Sequence, residues 1–389
     1  MATFFEGYDF YALTQILPNL RADMDLSRAG AGRLVAFINF GTMLAYLLIG
    51  RADRWGRRRV LMITITGYTV FTVLSGLAPE VYSFATFQLL ARLFLIAEWA
   101  TSMVYAAEEF PASRRGTVIG VIQAFSSLGS IVCAAVVPLL LMTPWGWRTA
   151  YLVGGIPLVA LAVARRSLKE TQRFAHVSAG VAPRSSWEIL RGPYRRRVWQ
   201  VGAIWFLTYV CTQNAVTFWK EFAVGERGLT DAQVGLAITI AAVGAMPLVF
   251  LSGRILDVVG RKKGALIIYG AGAIGTFGCY SLHNVWALTA SLVFGIFAVS
   301  GTLPVLNAFT TELFPTHLRG DAFAWCNNLI GRLGYVLSPL AVGLAAEEVG
   351  WGRAVSATAI FPVIALVLIF AWLPETMSRD LEDTSRLSA

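Results

Sequence analysis

Long apolar blocks separated by short charged loops dominate this chain. Spanning a bilayer takes about 20 apolar residues per helix. Twelve segments of that kind can be laid out, at 2–21, 30–50, 59–78, 81–107, 116–141, 149–165, 198–222, 232–252, 264–283, 285–310, 320–345 and 353–373. Six fall in each half. The longest hydrophilic stretch, 166–197, lies between the halves and reads as a basic cytoplasmic linker. The pattern predicts an all-α membrane protein with twelve transmembrane helices in two pseudo-symmetric six-helix bundles. One bundle covers 1–165, the other 198–373, and a cytoplasmic tail covers 374–389.

The charged loops repeat. Residues 50–58 read GRADRWGRR and 253–262 read GRILDVVGRK, while EEFPASRRG at 108–116 is answered by ELFPTHLRG at 312–320. Asp53 and Asp257, Gly56 and Gly260, Glu108 and Glu312, Pro111 and Pro315, and Arg115 and Arg319 are each 204 residues apart. An offset of half the chain length is the mark of a tandem duplication, and a duplicated bundle of membrane helices predicts a transport protein. Other pairs stand at or within one residue of the offset: Leu26-Ser27 and Leu229-Thr230, 203 apart, where Ser or Thr would cap the second helix of each half, and Trp147 and Trp351, 204 apart. Lys169-Glu170-Thr171 answers Pro374-Glu375-Thr376 after the last span of each half.

Composition agrees with a lipid environment. Hydrophobic residues make up 56% of the chain and charged residues 14%, with mean hydropathy +0.63; a soluble domain carries about 25% charged residues. The net charge of +9 raises the question of nucleic acid. With the amino terminus cytoplasmic, the loops on that side hold 23 of the 32 Lys and Arg residues, the opposite side holds seven, and Arg92 and Arg332 lie inside spans. That asymmetry is the positive-inside rule. The basic excess therefore reports topology, with both termini in the cytoplasm and a bacterial inner-membrane location, and no nucleic-acid partner is expected. No cleavable signal peptide is visible, and the first span looks short at its start, so a few further residues are expected to precede it. Cys133, Cys211, Cys279 and Cys326 are isolated and apolar in setting, with neither a disulfide framework nor metal-ligand spacing. No metal or other cofactor is expected, and the chain is read as a monomer whose partners are a small-molecule substrate, protons and the lipid bilayer.

Gly and Pro recur inside the spans, at Gly41, Gly120, Gly129, Pro138, Pro157, Pro247, Pro304 and Pro339. Small residues allow close helix contact, and prolines allow bends, both of which suit bundles that rock. The repeated acids and bases at helix ends can pair and break as such a bundle opens. Asp53, Arg57, Arg58, Glu108 and Arg115 in the first half, with Asp257, Arg261, Lys262, Glu312 and Arg319 in the second, are the candidate cytoplasmic gate.

These motifs carry a family resemblance. The D-x-x-G-R-[RK] loops after helices two and eight, the E-x-F-P-x-x-x-R-G segments after helices four and ten, and Gly146-Trp147-Arg148 before helix six are similar to the major facilitator superfamily across essentially the whole chain. The resemblance implies two bundles alternating access to a central cavity. One departure is Ile49 in place of the glycine four residues before Asp53. Glu6-Gly7-Tyr8-Asp9-Phe10 and Arg92 with Glu98-Trp99 resemble the proton-coupled metabolite symporters of organic acids and sugars, although Ile96 and Ala97 replace glycines usual before the Glu.

Asp9, Arg92, Glu98 and Arg332 are the ionisable groups that lie away from the ends of the spans. Each costs about 2.5–3.5 kcal/mol at a helix centre, which is tolerated where charges pair or face water. Arg92 lies about 18 Å along its helix from Glu80, near the midplane, and a six-residue step turns Glu98 about 120° away from it. Arg92 therefore needs an acid from another helix, and Asp9 is the candidate; in the symporters it resembles, this acid and arginine form a couple. An anionic substrate that takes the arginine leaves the acid to bind a proton, which links the two. Asp9, Glu98 and Arg92 are the expected proton-coupling residues; a structural ion pair is the alternative. Tyr8, Arg92, Gln123, Gln213, Asn214, Asn307, Asn327 and Arg332 are the expected substrate-binding residues, with Tyr11, Trp205 and Trp325 as aromatic surfaces for a ring. Gln123 and Asn327 are pseudo-equivalent, and in the sugar branch of the resemblance a glutamine at the first of these places contacts substrate. Helix-to-helix hydrogen bonding is the competing role for the amides. His176, His283 and His317 fall in loops.

The expected function is secondary active transport, a proton symport of a small carboxylate-type anion, because two midplane arginines favour an anion. A sugar or polyol symporter and an exporter of amphipathic compounds are the alternatives. A membrane enzyme is excluded by the lack of any HExxH, Ser/His/Asp set or phosphate loop.

Overall fold

A computed structural model of the protein describes residues 2–109, 112–164, 187–315 and 318–377, and these form helices with no strand among them. The first half contains α1 (Ala2–Asp23), α2 (Arg28–Trp55), α3 (Arg57–Gly76), α4 (Val81–Glu109), α5 (Ala112–Leu140) and α6 (Arg148–Ala164). The second half opens with the short α7 (Glu188–Arg191), then α8 (Arg195–Thr217), α9 (Trp219–Gly225), α10 (Asp231–Val259), α11 (Arg261–Ser281) and α12 (Val285–Glu312). After α13 (Arg319–Phe323), a π-helical stretch (Ala324–Gly331) runs into α14 (Arg332–Ser356), and a 3-10 turn (Ala357–Ala359) leads to α15 (Ile360–Trp372).

The chain divides into two compact units, Met1–Leu26 with Phe37–Pro183, and Ser27–Ala36 with Arg184–Ala389. The division departs from the sequence boundary at the start of α2. There Gly32 lies against Gly343, Arg28 donates to the Ala346 carbonyl at 3.0 Å, and Glu347 Oε1 accepts from the Ala29 N–H at 2.8 Å.

Within the first unit α1 packs on α5, and α3 on both α4 and α6; within the second, α8 packs on α14 and α11 on α12. The pairings of the first unit thus recur in the second, as the 204-residue offset implies. The α1–α5 contact is close because Gly129 has no side chain: a Cβ there would stand 1.8 Å from the Phe4 carbonyl oxygen. Small residues at helix contacts supply the van der Waals gain that lipid cannot.

Large apolar side chains cover the outside of these helices, among them Phe250 (68% exposed), Ile274 (75%) and Val367 (60%). In water that surface would be costly, whereas in hydrocarbon it is solvated. Six described segments are long and apolar enough on their own to cross a membrane, the last of them 54 residues from Arg319 to Trp372. α1 and α8 are not among these six. Buried polar residues explain the difference: Asp9 and Gln15 in α1, Thr208, Gln213 and Asn214 in α8.

Where helix ends differ from the hydropathy reading, backbone geometry is the cause. α8 starts at Arg195, inside the stretch read as linker, because arginine is a good helix former and its head reaches water from within the interface. The seventh span is two helices, broken at Phe218 (φ −100°, ψ 5°). The π-helical stretch, where a residue is inserted into the helical ladder, lies one residue before Arg332. Both second-helix caps form: Gly30 N donates to Ser27 Oγ at 3.0 Å, and Thr230 makes a reciprocal capping box with Gln233.

Candidate functional site

The buried charges of the first unit separate into two groups, as the turn between Arg92 and Glu98 on α4 requires. Arg92 (3% exposed) faces Asp9 (2% exposed) on α1, with Nη2 3.8 Å from Oδ2. That distance is an ion pair but too long for a hydrogen bond. The packing beside it is apolar: Ala91 and Leu95 of α4 join Phe5, Ile65, Tyr68 and Leu158 in one core cluster. The Phe10 ring centroid stands 5.9 Å from the guanidinium carbon, within cation–π range. Tyr68 and Tyr151 lie within electrostatic reach of both members of the pair. In so dry a setting each charge depends on the other.

Glu98 is held differently. Its Oε2 accepts from Thr64 Oγ1 and its Oε1 from Ser102 Oγ, both at 2.9 Å, and the residue is 2% exposed. Tyr8 donates to the Ala150 carbonyl at 3.2 Å. The Gln123 side chain lies outside the described residues. Sequence reasoning missed Gln15: it is fully buried in α1, and neither amide atom has a hydrogen-bond partner among the described residues.

The second unit assembles an arginine of another kind. Arg332 opens α14 with its guanidinium carbon 5.2 Å from the Tyr335 ring centroid and 5.7 Å from that of Tyr209. Among the described residues no carboxylate pairs with it, and its Nε is buried without a hydrogen-bond partner. Tyr209 donates to Asn327 Oδ1 at 2.8 Å, which fixes the phenol against the π-helical segment. Tyr209 stands four residues before Gln213, on the same helix face, and Tyr335 three after Arg332; those spacings would have found them both. Gln213 donates to Thr217 at 3.1 Å and Asn214 to the Val210 carbonyl at 2.6 Å, yet Gln213 Oε1 and Asn214 Oδ1 are buried without partners among the described residues. Trp205 is 1% exposed and donates to Thr310 at 3.0 Å, and Tyr11 is buried in the core, because packing claims both rings; Asn307 is exposed on its unit. Trp325 stacks edge-on against Trp187.

The repeated loop of the second unit forms a dense network. Arg261 pairs with Glu312 at 2.7 Å and with Asp257 at 2.9 Å. Glu375, which follows α15, accepts from the N–H groups of Arg261 and Lys262 at 2.9 Å each, and Thr376 donates its hydroxyl to Glu312. Gly260 makes this possible: its φ of 103° suits glycine, and a Cβ would stand 3.1 Å from Glu375 Oε2. Burial alone would raise the Glu375 pKa, but the backbone N–H groups of Lys262, Arg261, Met377 and Thr376 outweigh it and hold the carboxyl below its ordinary value. The hydrogen bonds that Arg261 donates to Glu312, and then to Asp257, raise its pKa. Among the described residues Lys262 donates to the Phe370 carbonyl and Arg319 to the Phe314 carbonyl, so there these two bases hold backbone rather than acid. In the first copy Arg58 is exposed, while the side chains of Asp53, Arg57, Glu108 and Arg115 lie outside the described residues.

A further duplicated strut was not expected. Asp23 at the end of α1 accepts from Trp147 Nε1 at 3.0 Å and Arg148 Nη1 at 2.6 Å, and those bonds, Arg148 first, lower its pKa. Its counterpart, Glu226, accepts from the N–H groups of Trp351 and Gly352 beside the break at Gly350. The pairs stand 203 and 204 residues apart, so the paired tryptophans were the available signal.

The sequence matches the Major Facilitator Superfamily over residues 1–223 and 206–387, and the chain belongs to that family. It is 25% identical, over 99% of its own length and 91% of the relative's, to the "Probable 4-methylmuconolactone transporter" of Cupriavidus pinatubonensis. It is 27% identical to the "Cis,cis-muconate transport protein" of Acinetobacter baylyi, covering 93% and 90% of the two chains. The fold is that of the xylose transporter XylE from E. coli in its inward open conformation, with TM-score 0.77, 19% identity and coverage of 98% and 96%. The protein is an integral membrane transporter of small molecules, not an enzyme.

Proposed function

We propose that this chain is a proton symporter that brings a small organic carboxylate across the bacterial inner membrane, with both termini cytoplasmic and the monomer as the working unit. The observation that carries the reading is Arg332, a half-buried guanidinium beside two tyrosine rings that pack on each other, with no carboxylate partner among the described residues. A cation in that position costs free energy until an anion joins it, and arginine offers a carboxylate two parallel N–H donors. Tyr209 and Tyr335 add flat surfaces suited to an unsaturated or ring-bearing acid. The relatives named for muconate and 4-methylmuconolactone support an organic acid.

The proton half of the reading rests on Asp9 and Arg92. Their 3.8 Å separation leaves the carboxylate oxygen without a hydrogen bond from its partner. Any event that draws Arg92 away exposes Asp9 to the cost of an unpaired buried charge, which binding a proton removes. Glu98, held by two hydroxyls, is a second carboxyl able to keep a proton. The Asp257–Arg261–Glu312 network, with its repeat at Asp53, Arg57, Arg58, Glu108 and Arg115, acts as the cytoplasmic gate.

The test is uptake into proteoliposomes with an imposed pH gradient, screened across carboxylates, sugars and polyols. Accumulation of a carboxylate that stops on adding a protonophore supports the reading; accumulation unaffected by the protonophore overturns coupling. A neutral polyol is the second reading, favoured by the open amide oxygens of Gln213 and Asn214, and it is selected if only hydroxylated neutral compounds accumulate.

A further inference from the structure

The start of the seventh span carries chemistry that transport does not use. Residues 184–197 hold five arginines and one acid, Glu188. Arg197 is committed: Nη1 donates to the Leu313 carbonyl at 2.8 Å and its guanidinium lies 6.0 Å from the Tyr194 ring, so the first turn of α8 is fixed to the end of α12. Arg191, Arg195 and Arg196 are instead exposed. Two tryptophans accompany them, Trp187 at 62% exposed and Trp199 at 59%. Trp199 is four residues from Arg195 and three from Arg196, so all three share one face of α8. Trp187 is anchored edge-on to Trp325 with centroids 4.8 Å apart.

Exposed tryptophans at the end of a span settle at the boundary between hydrocarbon and headgroups. That depth places the three guanidiniums of this fixed scaffold at the level of lipid phosphates. Arginine binds phosphate through paired N–H donors, and basic clusters beside a span attract anionic lipid. We infer that Arg191, Arg195 and Arg196, with Trp187 and Trp199, form a binding site for the headgroup of an anionic phospholipid on the second unit. The tryptophans choose a lipid over a free anion, because an indole face serves an acyl chain or glycerol backbone and adds nothing to a bare phosphate. The inference is independent of which solute the protein carries.

The experiment is native mass spectrometry of the full-length protein released from detergent, titrated with dioleoylphosphatidylglycerol, dioleoylphosphatidylcholine or inorganic phosphate. The wild type is expected to retain phosphatidylglycerol in preference to phosphatidylcholine, with millimolar phosphate failing to displace it. The triple variant Arg191→Gln/Arg195→Gln/Arg196→Gln is expected to bind phosphatidylglycerol roughly 100-fold more weakly, from about a factor of five for each arginine near an anionic surface. Should that variant fold poorly, wild-type retention should still fall as salt is raised from 50 to 500 mM, since a headgroup contact is screened. Equal retention of both lipids, displacement by phosphate, a triple variant that binds as the wild type does, or retention indifferent to salt would each overturn the site.

Discussion

Replacing Asp9 with Asn removes the charge that Arg92 faces while keeping its size. The two charges stand 3.8 Å apart and are 2% and 3% exposed. At an effective dielectric constant of about 20, their attraction is about 4 kcal/mol. Asn is cheaper to bury than a carboxylate, so the measured loss in the single variant should be smaller, about 2–4 kcal/mol, and Arg92→Gln should cost a similar amount. The double variant leaves neither charge unpaired and should be less destabilised than the sum of the singles by at least 1 kcal/mol. The assay is a double-mutant cycle on thermal unfolding in detergent, run beside proteoliposome uptake. Asp9→Asn should also lose pH-driven accumulation while retaining substrate exchange. A cycle that closes additively within about 0.5 kcal/mol, or full accumulation by Asp9→Asn, refutes the coupling role.

Arg332→Gln should raise the KM for a carboxylate substrate by roughly 30-fold or more, about the cost of removing one partner of a buried charged pair. Tyr209→Phe, which loses only the bond to Asn327, should raise it less than about 10-fold; uptake kinetics decide, and an unchanged KM in both removes them from the binding wall. Gly260→Ala should destabilise the second unit by about 1–3 kcal/mol through its left-handed backbone, read as a lower midpoint in thermal unfolding. Because the folded Glu375 carboxyl is held below its ordinary value of 4.5, its stabilising contribution is complete above that pH and is lost as pH falls through the folded value. Glu375→Gln should flatten stability against pH in that acid window, and an unaltered profile would show the cap to be idle. Glu226→Gln should cost about 1.5–3 kcal/mol by weakening two charge-assisted bonds to the start of the last span; a midpoint within 1 °C of the wild type would contradict that.

Much of this protein is written along one dimension. Apolar blocks of bilayer length set the spans, since hydrocarbon leaves the backbone no other way to satisfy its hydrogen bonds. The 204-residue offset set the duplication, because copied loops keep their spacing whatever the fold. Helical geometry alone sent Arg92 and Glu98 to different neighbours, and the structure gives them Asp9 on one side and Thr64 with Ser102 on the other. What remained hidden depends on three-dimensional neighbours. No periodicity announces that Trp205 would be spent on Thr310, that Gln15 would be buried with both amide atoms open, or that a π-helical turn would end at Arg332, beside the paired rings of Tyr209 and Tyr335. Glu375 stands in a repeated tripeptide and Glu226 in no motif, and neither shows its partner in sequence, yet each closes on free amide groups at a helix start far along the chain. Sequence fixes which segments prefer lipid, a property of each segment alone; the partner of a buried polar group is a property of two segments at once, and only their packing decides it.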